Sequence, residues 1–448
     1  MLFDLLLIIL FGWAAGLIVG LAPGIGASTL ILSLYPLLQN FDITEIFIFY
    51  IILITSCQYY GQISAILYGV PGEVTALPAV QYGHPVHLKG RGAELLSATA
   101  SASLLGSIVG MIFFYIISNN LNLLLMFFDN TFKTIYLTIA ILIIIVFTEN
   151  KILSIFLAIC GFLIGLVGYN GLTAAHFFVP AASIADAGIP FGPMFLGFFI
   201  LPTLIFYWKE TARQPINILQ LKQLSLRQRT TNLMLIKNSN SIVRGSVLGS
   251  IIGLIPGASY AISSSIAATL EYKLQKTKQK IERSFCSVVS AESANNAGSI
   301  TVLVPLIFLA LPIIPSEAII FSLAEQKGFG FAVSFDFVKE KVPLFLFIIA
   351  IFNIINWVLA GYYYTLIGLV YVYIKNAIYP VMITGLTAMF SYIAWYNNQL
   401  LFSAAIFAVS FLIGMIIKST SAKIVFIFLF FLADVIFSEY YRFYLLNF

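Results

Sequence analysis

The stretch GWAAGLIVGLAPG at residues 12–24 returns, 233 residues later, as GSVLGSIIGLIPG at residues 245–257. Both copies place glycine at every fourth position and end on a Pro-Gly pair. Glycine at this spacing leaves one helix face bare, so that a second backbone can approach it closely within a membrane. We call these two patterns the glycine ladders. Their predicted helix-packing residues are Gly12, Gly16 and Gly20 in the first and Gly245, Gly249 and Gly253 in the second.

The composition places the chain in a membrane. Hydrophobic residues make up 60% and charged residues 9% of the 448 residues, whereas soluble domains carry roughly 25% charged residues. The mean hydropathy is +1.01. Long apolar windows favour helices, which satisfy their own backbone polar groups in lipid, over the alternation of a barrel. We therefore expect an all-α polytopic membrane protein with about 10–12 transmembrane or re-entrant helices. These helices should form two structural repeats, which we expect to be inverted.

A basic interval separates the two ladders and indicates the domain organisation. Residues 208–244 contain seven lysines and arginines against one acidic residue. Such loops favour the cytoplasmic side of a membrane, and we prefer this topological interpretation to nucleic-acid binding. We therefore predict a first transmembrane half at 1–207, a basic cytoplasmic linker at 208–244 and a second transmembrane half at 245–448.

Further helix breaks follow each ladder, at Pro71-Gly72 in the first half and at Pro312 in the second. A helix that begins inside a membrane directs unpaired N–H groups and the positive end of its dipole into the adjoining space, and such helix ends bind carboxylates and phosphates. We therefore predict a site for a small carboxylate between the two halves. The predicted substrate-binding residues are Pro23, Gly24, Gly26, Ser64, Pro71, Gly72, Pro256, Gly257, Asn295 and Asn296.

Two acidic residues near the breaks are candidates for cation coupling. Glu292 lies three residues before Asn295, and Glu73 directly follows Gly72. Ionisable side chains at membrane depth are costly and usually functional, so we predict that one or both couple transport to Na⁺ or H⁺. Two alternatives stay open: a solvated position at the membrane interface for each acid, and a helix–helix contact for the asparagines.

The sequence offers no chemistry for an enzyme. It contains no Walker, G-x-S-x-G or H-E-x-x-H motif, and no nucleophile with a paired base. Its three cysteines and three histidines show no metal-ligand spacing. We therefore predict no catalytic residues, no metal site and no organic cofactor.

The order of the motifs resembles a known family. The first ladder precedes YGQISAILYGVPG at residues 60–72 and GHPVHLKGRG at residues 83–92, and the second precedes AESANNAG at residues 291–298. This series resembles the TctA-like large membrane subunit of the tripartite tricarboxylate transporters. At the fourth break the chain has Pro312-Ile313 where the family has Pro-Gly.

The resemblance implies a function and a set of partners. It implies carboxylate uptake in the bacterial inner membrane, driven by a cation gradient. It also implies a small membrane subunit and a periplasmic solute-binding protein as partners. We therefore predict a secondary active transporter that imports a small carboxylate. The alternatives are a stand-alone permease without these partners, a channel, or a membrane enzyme acting on a lipid-linked substrate.

Overall fold

The computed structural model describes residues 2–22, 25–69, 71–120, 130–170, 175–178, 188–213, 232–255, 257, 260–397 and 399–447. Most of these residues are helical. The helices are α1 (Leu2–Leu21), α2 (Ala27–Leu38), α3 (Ile43–Tyr68), α4 (Gly92–Asn119), α5 (Asn130–Val146), α6 (Lys151–Gly165), α7 (Phe191–Phe195), α8 (Leu201–Arg213), α9 (Asn232–Ile252), α10 (Tyr260–Leu274), α11 (Lys280–Thr301), α12 (Leu303–Leu309), α13 (Pro315–Glu325), α14 (Phe331–Tyr362), α15 (Tyr364–Tyr396), α16 (Leu400–Ile416), α17 (Thr420–Phe431) and α18 (Ala433–Asn447). Short helical turns connect some of them, at Val74–Ala76, Ala79–Gly83, His84–Val86, His87–Arg91 and Leu196–Ile200.

Local sequence fixes both ends of α3. At its start, the Asp42 carboxylate accepts the Glu45 N–H at 2.8 Å, and the Glu45 carboxylate accepts the Asp42 N–H at 2.9 Å. This reciprocal capping box satisfies two helix-end donors. At its end, Gly69 adopts a left-handed conformation with φ +67° and donates its N–H to the Ala65 carbonyl. Every residue from Ile46 to Leu67 is buried, as expected for a helix that is apolar on most of its faces.

The first glycine ladder packs along α3. Gly12 faces the backbone of Phe49, and Gly20 faces the backbone of Cys57, so α1 and α3 run parallel. A Cβ atom on Gly20 would lie 2.8 Å from the Cys57 carbonyl oxygen, so the two helices can approach this closely only because the ladder lacks side chains. Because α1 and α3 are parallel, the intervening α2 brings the chain back toward the N-terminal end of α1.

The second glycine ladder makes the same kind of contact with α11. Gly245 faces the backbone of Ser290, and Gly253 faces the backbone of Gly298, so α9 and α11 also run parallel. A Cβ atom on Gly253 would lie 2.7 Å from the Gly298 carbonyl oxygen. In both units, therefore, the ladder helix packs parallel to the long helix that comes two helices later in the chain.

The α10 helix returns the chain between α9 and α11. Ser263 near its start donates to the Ala294 carbonyl at 3.4 Å, and Arg283 donates to the Tyr272 carbonyl near its end at 3.0 Å. The start of α10 therefore contacts the later part of α11, and the end of α10 contacts the start of α11. The two helices are antiparallel. Each ladder unit is thus a helix, a shorter returning helix and a long buried helix.

The two long buried helices, α3 and α11, cross each other. Asn295 donates an amide hydrogen bond to Gln58 Oε1. Gly83 faces both Ile66 of α3 and Val288 of α11. A later position on α3 thus lies near an earlier position on α11, so these two helices run in opposite directions.

Several helices of the described chain are able to cross a membrane. Five are long and apolar enough for a full crossing: Ile43–Tyr68, Ala79–Asn119, Phe191–Lys209, Glu340–Gly361 and Tyr364–Tyr396. The pair α17 and α18, bent by 56°, would add a sixth. Shorter apolar helices, among them α1, α2, α5, α6 and α16, accompany these spans. The predicted all-α polytopic membrane fold is confirmed.

One small element lies outside the helical pattern. Strands β1 (Gly168–Asn170) and β2 (Ala175–Phe177) pair antiparallel, with Tyr169 opposite His176. The all-α fold predicted from the sequence contains no strand here. The pairing supplies backbone hydrogen bonds to an extended segment that would otherwise lack them.

The predicted linker at 208–244 lies only partly within the described residues. Helix α8 continues to Arg213 and α9 begins at Asn232, so both ends of the predicted linker are helical. Residues 214–231 lie outside the described residues. The division of the chain into two halves at this linker stays a prediction.

Candidate functional site

Four interrupted segments surround a cavity of about 570 Å³. Its wall includes residues 26–29, 71–73, 260–262 and 314–316. The first and third segments follow the Pro-Gly ends of the two ladders. The second segment contains the break at Pro71-Gly72, and the fourth follows the break at Pro312. The structure therefore brings the neighbourhoods of all four predicted breaks to one place.

Several described helices begin at this cavity, among them α2, α10, α13 and α17. α2 starts at Ala27 and α13 starts at Pro315, and neither N-cap side chain accepts a hydrogen bond from its helix. About two turns further on, Tyr35 and Ser322 join their hydroxyl groups at 3.2 Å, so the two helices run side by side in the same direction. Their N-termini therefore lie close together, where both helix dipoles favour a negative charge.

The remaining cavity wall is apolar with scattered hydroxyl groups. Phe147, Phe199 and Ile424 form part of its apolar surface. The hydroxyl-bearing residues of the wall are Ser28, Thr29, Thr75, Thr148, Tyr207, Tyr260, Ser265, Ser316, Thr420 and Ser421. Among the described lining residues there is no lysine, arginine or histidine. Hydrogen-bond donors for an anion would therefore come from backbone N–H groups and hydroxyls.

The protein places its own carboxyl groups at both helix starts. Glu73 lines the cavity; its carboxyl accepts the Cys57 thiol at 3.3 Å and the Ala27 N–H at the start of α2. Glu317, fully buried in the first turn of α13, accepts the Ile313 N–H at 2.9 Å. Carboxylates at helix N-termini are stabilised by the same N–H groups that bind external anions. The two helix starts therefore already accommodate carboxyl groups.

The predicted substrate-binding residues fall into three groups. Four of them line the cavity: Gly26, Pro71, Gly72 and Gly257. Pro23, Gly24 and Pro256 lie outside the described residues. Ser64, Asn295 and Asn296 are buried but are not among the cavity-lining residues.

Two glycines of the cavity wall occupy positions that a side chain would disturb. A Cβ atom on Gly72 would overlap the carbonyl oxygen of Gly20, at the end of the first ladder. Gly257, at the end of the second ladder, has φ +72°, a left-handed conformation that favours glycine. Its Cβ would also lie 2.5 Å from the Ala140 carbonyl oxygen. Both breaks therefore depend on glycine for their geometry.

Ser64 has a local structural contact. Its hydroxyl donates to the Gly61 carbonyl of its own helix at 3.1 Å and lies 3.4 Å from the Gly20 carbonyl. This hydroxyl therefore joins α3 to the end of the first ladder. Its contact with substrate stays a prediction.

A second polar site lies at the crossing of α3 and α11. It consists of Gln58, Gln62, Glu292, Asn295 and Asn296, which we call the amide–carboxyl cluster. Each of these five side chains is only 1% exposed. Asn295 donates to Gln58, and Asn296 Nδ2 donates to the Glu292 carbonyl at 2.9 Å. The structure thus separates the predicted asparagines and Glu292 from the cavity and groups them with two glutamines.

The two glutamines are not among the site residues predicted from the sequence. Gln58 and Gln62 lie one turn apart on α3, in a largely apolar window. Amides are uncommon at membrane depth and tend to form contacts between helices. Their spacing was therefore an available signal, although the sequence could not identify the partner helix.

Comparison with known proteins agrees with the motif order. The model of the tripartite tricarboxylate transporter TctA family matches residues 6–429. An uncharacterised 52.8 kDa protein of Agrobacterium vitis, named for its position in the TAR-I ttuC′ 3′ region, is 24% identical over 365 residues. That alignment covers 80% of this chain and 70% of the relative. No solved structure matches the chain. Because the family model covers nearly the whole chain, the protein belongs to the tripartite tricarboxylate transporter TctA family.

Proposed function

We propose that the protein is a secondary active transporter that imports a small carboxylate through the cavity between its two ladder units. The observation that carries this proposal is the meeting of the α2 and α13 N-termini in a cavity of about 570 Å³. Helix N-termini attract carboxylates through unpaired N–H groups and aligned dipoles. The apolar wall would face the carbon skeleton of the substrate, and the hydroxyls would orient its polar groups.

The two ladder units suggest how access to the cavity could alternate. α1 and α3 run parallel, α9 and α11 run parallel, and α3 crosses α11 in the opposite direction. This pattern supports the proposal of an inverted repeat with its centre near the crossing. In transporters of this kind, one structural unit moves against the other around a fixed site at the repeat interface.

Membership in the family supports a larger assembly. We propose a small membrane subunit and a periplasmic solute-binding protein as partners, in the bacterial inner membrane. The binding protein would deliver the carboxylate to the outer opening of the cavity. A Na⁺ or H⁺ gradient would supply the driving force, with Glu73 or Glu292 as the coupling residue. A stand-alone permease remains the second candidate within transport.

Uptake into proteoliposomes tests the proposal. The purified chain would be reconstituted, and uptake of labelled dicarboxylates and tricarboxylates measured with and without Na⁺ and pH gradients. Each condition would be repeated with the small membrane subunit and the binding protein from the same organism. Accumulation above the external concentration, dependent on a gradient, is the expected result.

The other outcomes discriminate among the alternatives. Equilibration without accumulation would indicate a channel, and accumulation by the chain alone would indicate a stand-alone permease. A labelled substrate that is converted chemically would indicate an enzyme. No uptake of any carboxylate by folded protein with all its partners would contradict the proposed substrate class.

A further inference from the structure

The amide–carboxyl cluster contains more buried acceptor atoms than the protein satisfies. Among the described residues, four side-chain oxygens at this crossing have no hydrogen-bond partner: Gln62 Oε1, Glu292 Oε2, Asn295 Oδ1 and Asn296 Oδ1. The amide nitrogens of Gln58 and Gln62 are unpaired as well. Each belongs to a side chain that is 1% exposed. A buried polar atom without a partner costs about 1–3 kcal/mol, and most proteins contain few of them. Four such oxygens from neighbouring side chains therefore require an explanation.

The register of the crossing places these side chains at neighbouring levels of α3 and α11. Glu292, Asn295 and Asn296 are three and four residues apart, so they share one face of α11. Asn295 is joined to Gln58, and the Asn295 amide also reaches the Glu292 carboxyl. Because α3 and α11 are antiparallel, Gln62, one turn after Gln58, lies at the level of Glu292, one turn before Asn295.

The charge of the cluster selects the kind of ligand. Glu292 pairs with no lysine or arginine among the described residues, although an isolated buried carboxylate is strongly disfavoured. A proton on Glu292 would supply a single donor for several free oxygens. A water molecule would supply two donors and accept from the unpaired Gln58 and Gln62 amides, but it would leave the carboxylate charge without a counter-charge. A small cation would neutralise the carboxylate, and carboxylate and amide oxygens are the ligands that hard cations prefer.

We propose that the amide–carboxyl cluster is a binding site for a monovalent cation, Na⁺, with Gln62, Glu292, Asn295 and Asn296 as its side-chain ligands. This inference rests on the proposed function in that it locates the coupling ion at the helix crossing and separates it from the carboxylate cavity. It also assigns the two asparagines a cation-binding role in place of substrate contact.

Direct neighbours connect this cation site to the cavity. Cys57, adjacent to Gln58, donates its thiol to Glu73 in the cavity wall. Ala294, adjacent to Asn295, accepts the Ser263 hydroxyl from α10, the helix whose first turn lines the cavity. Occupation of the cation site would therefore fix the two helices that support the cavity wall, which is how ion and substrate binding become linked.

Thermal unfolding of the purified protein tests the site without any carboxylate. A ligand that binds only the folded state raises the unfolding temperature as its concentration rises. Unfolding would be followed in detergent over a series of NaCl concentrations, with choline chloride holding the ionic strength constant. We expect Na⁺ to stabilise the protein saturably. Glu292→Gln and Gln62→Met should each raise the half-saturating Na⁺ concentration by about tenfold or more, the loss expected for one ligand.

A matched control uses the same substitution on the same helix. Glu282 forms a partly buried salt bridge with Arg91 at 2.7 Å, outside the amide–carboxyl cluster, and Glu282→Gln should leave the Na⁺ response unchanged. An unchanged Na⁺ response in folded Gln62→Met and Glu292→Gln would overturn the site. So would a wild-type protein that responds to pH but not to Na⁺, since that result would indicate a proton on Glu292. Because no carboxylate is present, a failure of the transport assay would not affect either result.

Discussion

Gln58 and Asn295 form a hydrogen bond between equivalent positions of the two ladder units. Three residues after Gln58, Gly61 contacts Gly20 of the first ladder, and three residues after Asn295, Gly298 contacts Gly253 of the second. A residue that contacts its own counterpart marks the axis relating two copies of a unit. The bond therefore lies where the axis of the proposed inverted repeat would pass.

A double-mutant cycle measures this contact. Gln58→Ala and Asn295→Ala, alone and together, should show a coupling free energy of about 0.5–3 kcal/mol in the thermal unfolding of the protein, because the two side chains share a buried hydrogen bond. Gln58→Ala combined with Gln39→Ala provides a distant pair for comparison, since Gln39 instead contacts Gln326 on the α2–α13 surface. Equal additivity in both cycles would contradict the contact at the crossing.

The glycine ladders should tolerate no side chain. Gly249→Val would place Cβ against the backbone of Ala294, and we expect a loss of at least about 1–3 kcal/mol in the free energy of unfolding because overpacking forces the helices apart. Gly385→Val is the control, since a Cβ on Gly385 meets nothing within 4 Å. Unfolding temperatures in detergent would compare the two. A Gly249 variant as stable as the Gly385 variant would contradict the close packing of α9 on α11.

Much of this packing could be predicted from the sequence, because it depends on spacing. Glycine at every fourth position predicts a close helix contact wherever the partner lies, and paired Pro-Gly breaks predict two interrupted units. The partner helices could not be predicted, since they depend on long-range packing: nothing around Phe49 or Ser290 indicates that a ladder lies against it. Only the folded structure shows which helix each ladder contacts.

The candidate site could be predicted less completely, for a related reason. Gly26, Gly72 and Gly257 follow directly from the breaks, and the structure places all three in the cavity wall. Asn295 and Asn296 lie on a helix of small residues that can present several faces to neighbours. The antiparallel crossing with α3 decides which face of α11 meets Gln58, and neither asparagine is among the cavity-lining residues.

Filling the cavity should block transport without affecting folding. Gly26 lines the cavity, has an extended conformation with φ −68°, and leaves a new Cβ with nothing within 4 Å. Gly26→Leu should therefore fold normally and extend into the space proposed for the carboxylate. We expect uptake to fall by about tenfold or more, equivalent to 1.4 kcal/mol of lost binding.

Gly385→Leu controls for the added apolar surface, because it lies on α15 away from the cavity and is equally unobstructed. Uptake in proteoliposomes and thermal unfolding would be measured for both variants. Full uptake by a folded Gly26→Leu variant would contradict the proposal that the carboxylate passes through the cavity.

An ion pair with a buried carboxylate should make the stability of the second ladder unit depend on pH. Glu271 near the end of α10 is 1% exposed and pairs with Arg244, which directly precedes the second ladder, at 2.7 Å. Burial alone would raise the pKa of Glu271, but hydrogen bonds from Arg244, Gln275 and Ser241 outweigh it and lower the pKa below its ordinary value of 4.5. A carboxyl whose pKa is lower in the folded state stabilises that state above pH 4.5 and loses this contribution as the pH falls through the folded pKa.

We therefore expect the wild-type protein to lose more stability than Glu271→Gln as the pH is lowered from 6 to 3, and the two to respond alike above pH 6.

Arg244→Ala should destabilise the protein at neutral pH by about 1–3 kcal/mol, because it leaves a buried carboxylate with fewer donors. Unfolding temperatures across this pH series would test both expectations. Lys341→Ala is the comparison, since Lys341 pairs with Glu340, whose side chain is 71% exposed, and such exposed pairs contribute little. If Glu271→Gln and wild type lost stability in parallel down to pH 3, the Arg244–Glu271 pair would not stabilise the contact between α9 and α10.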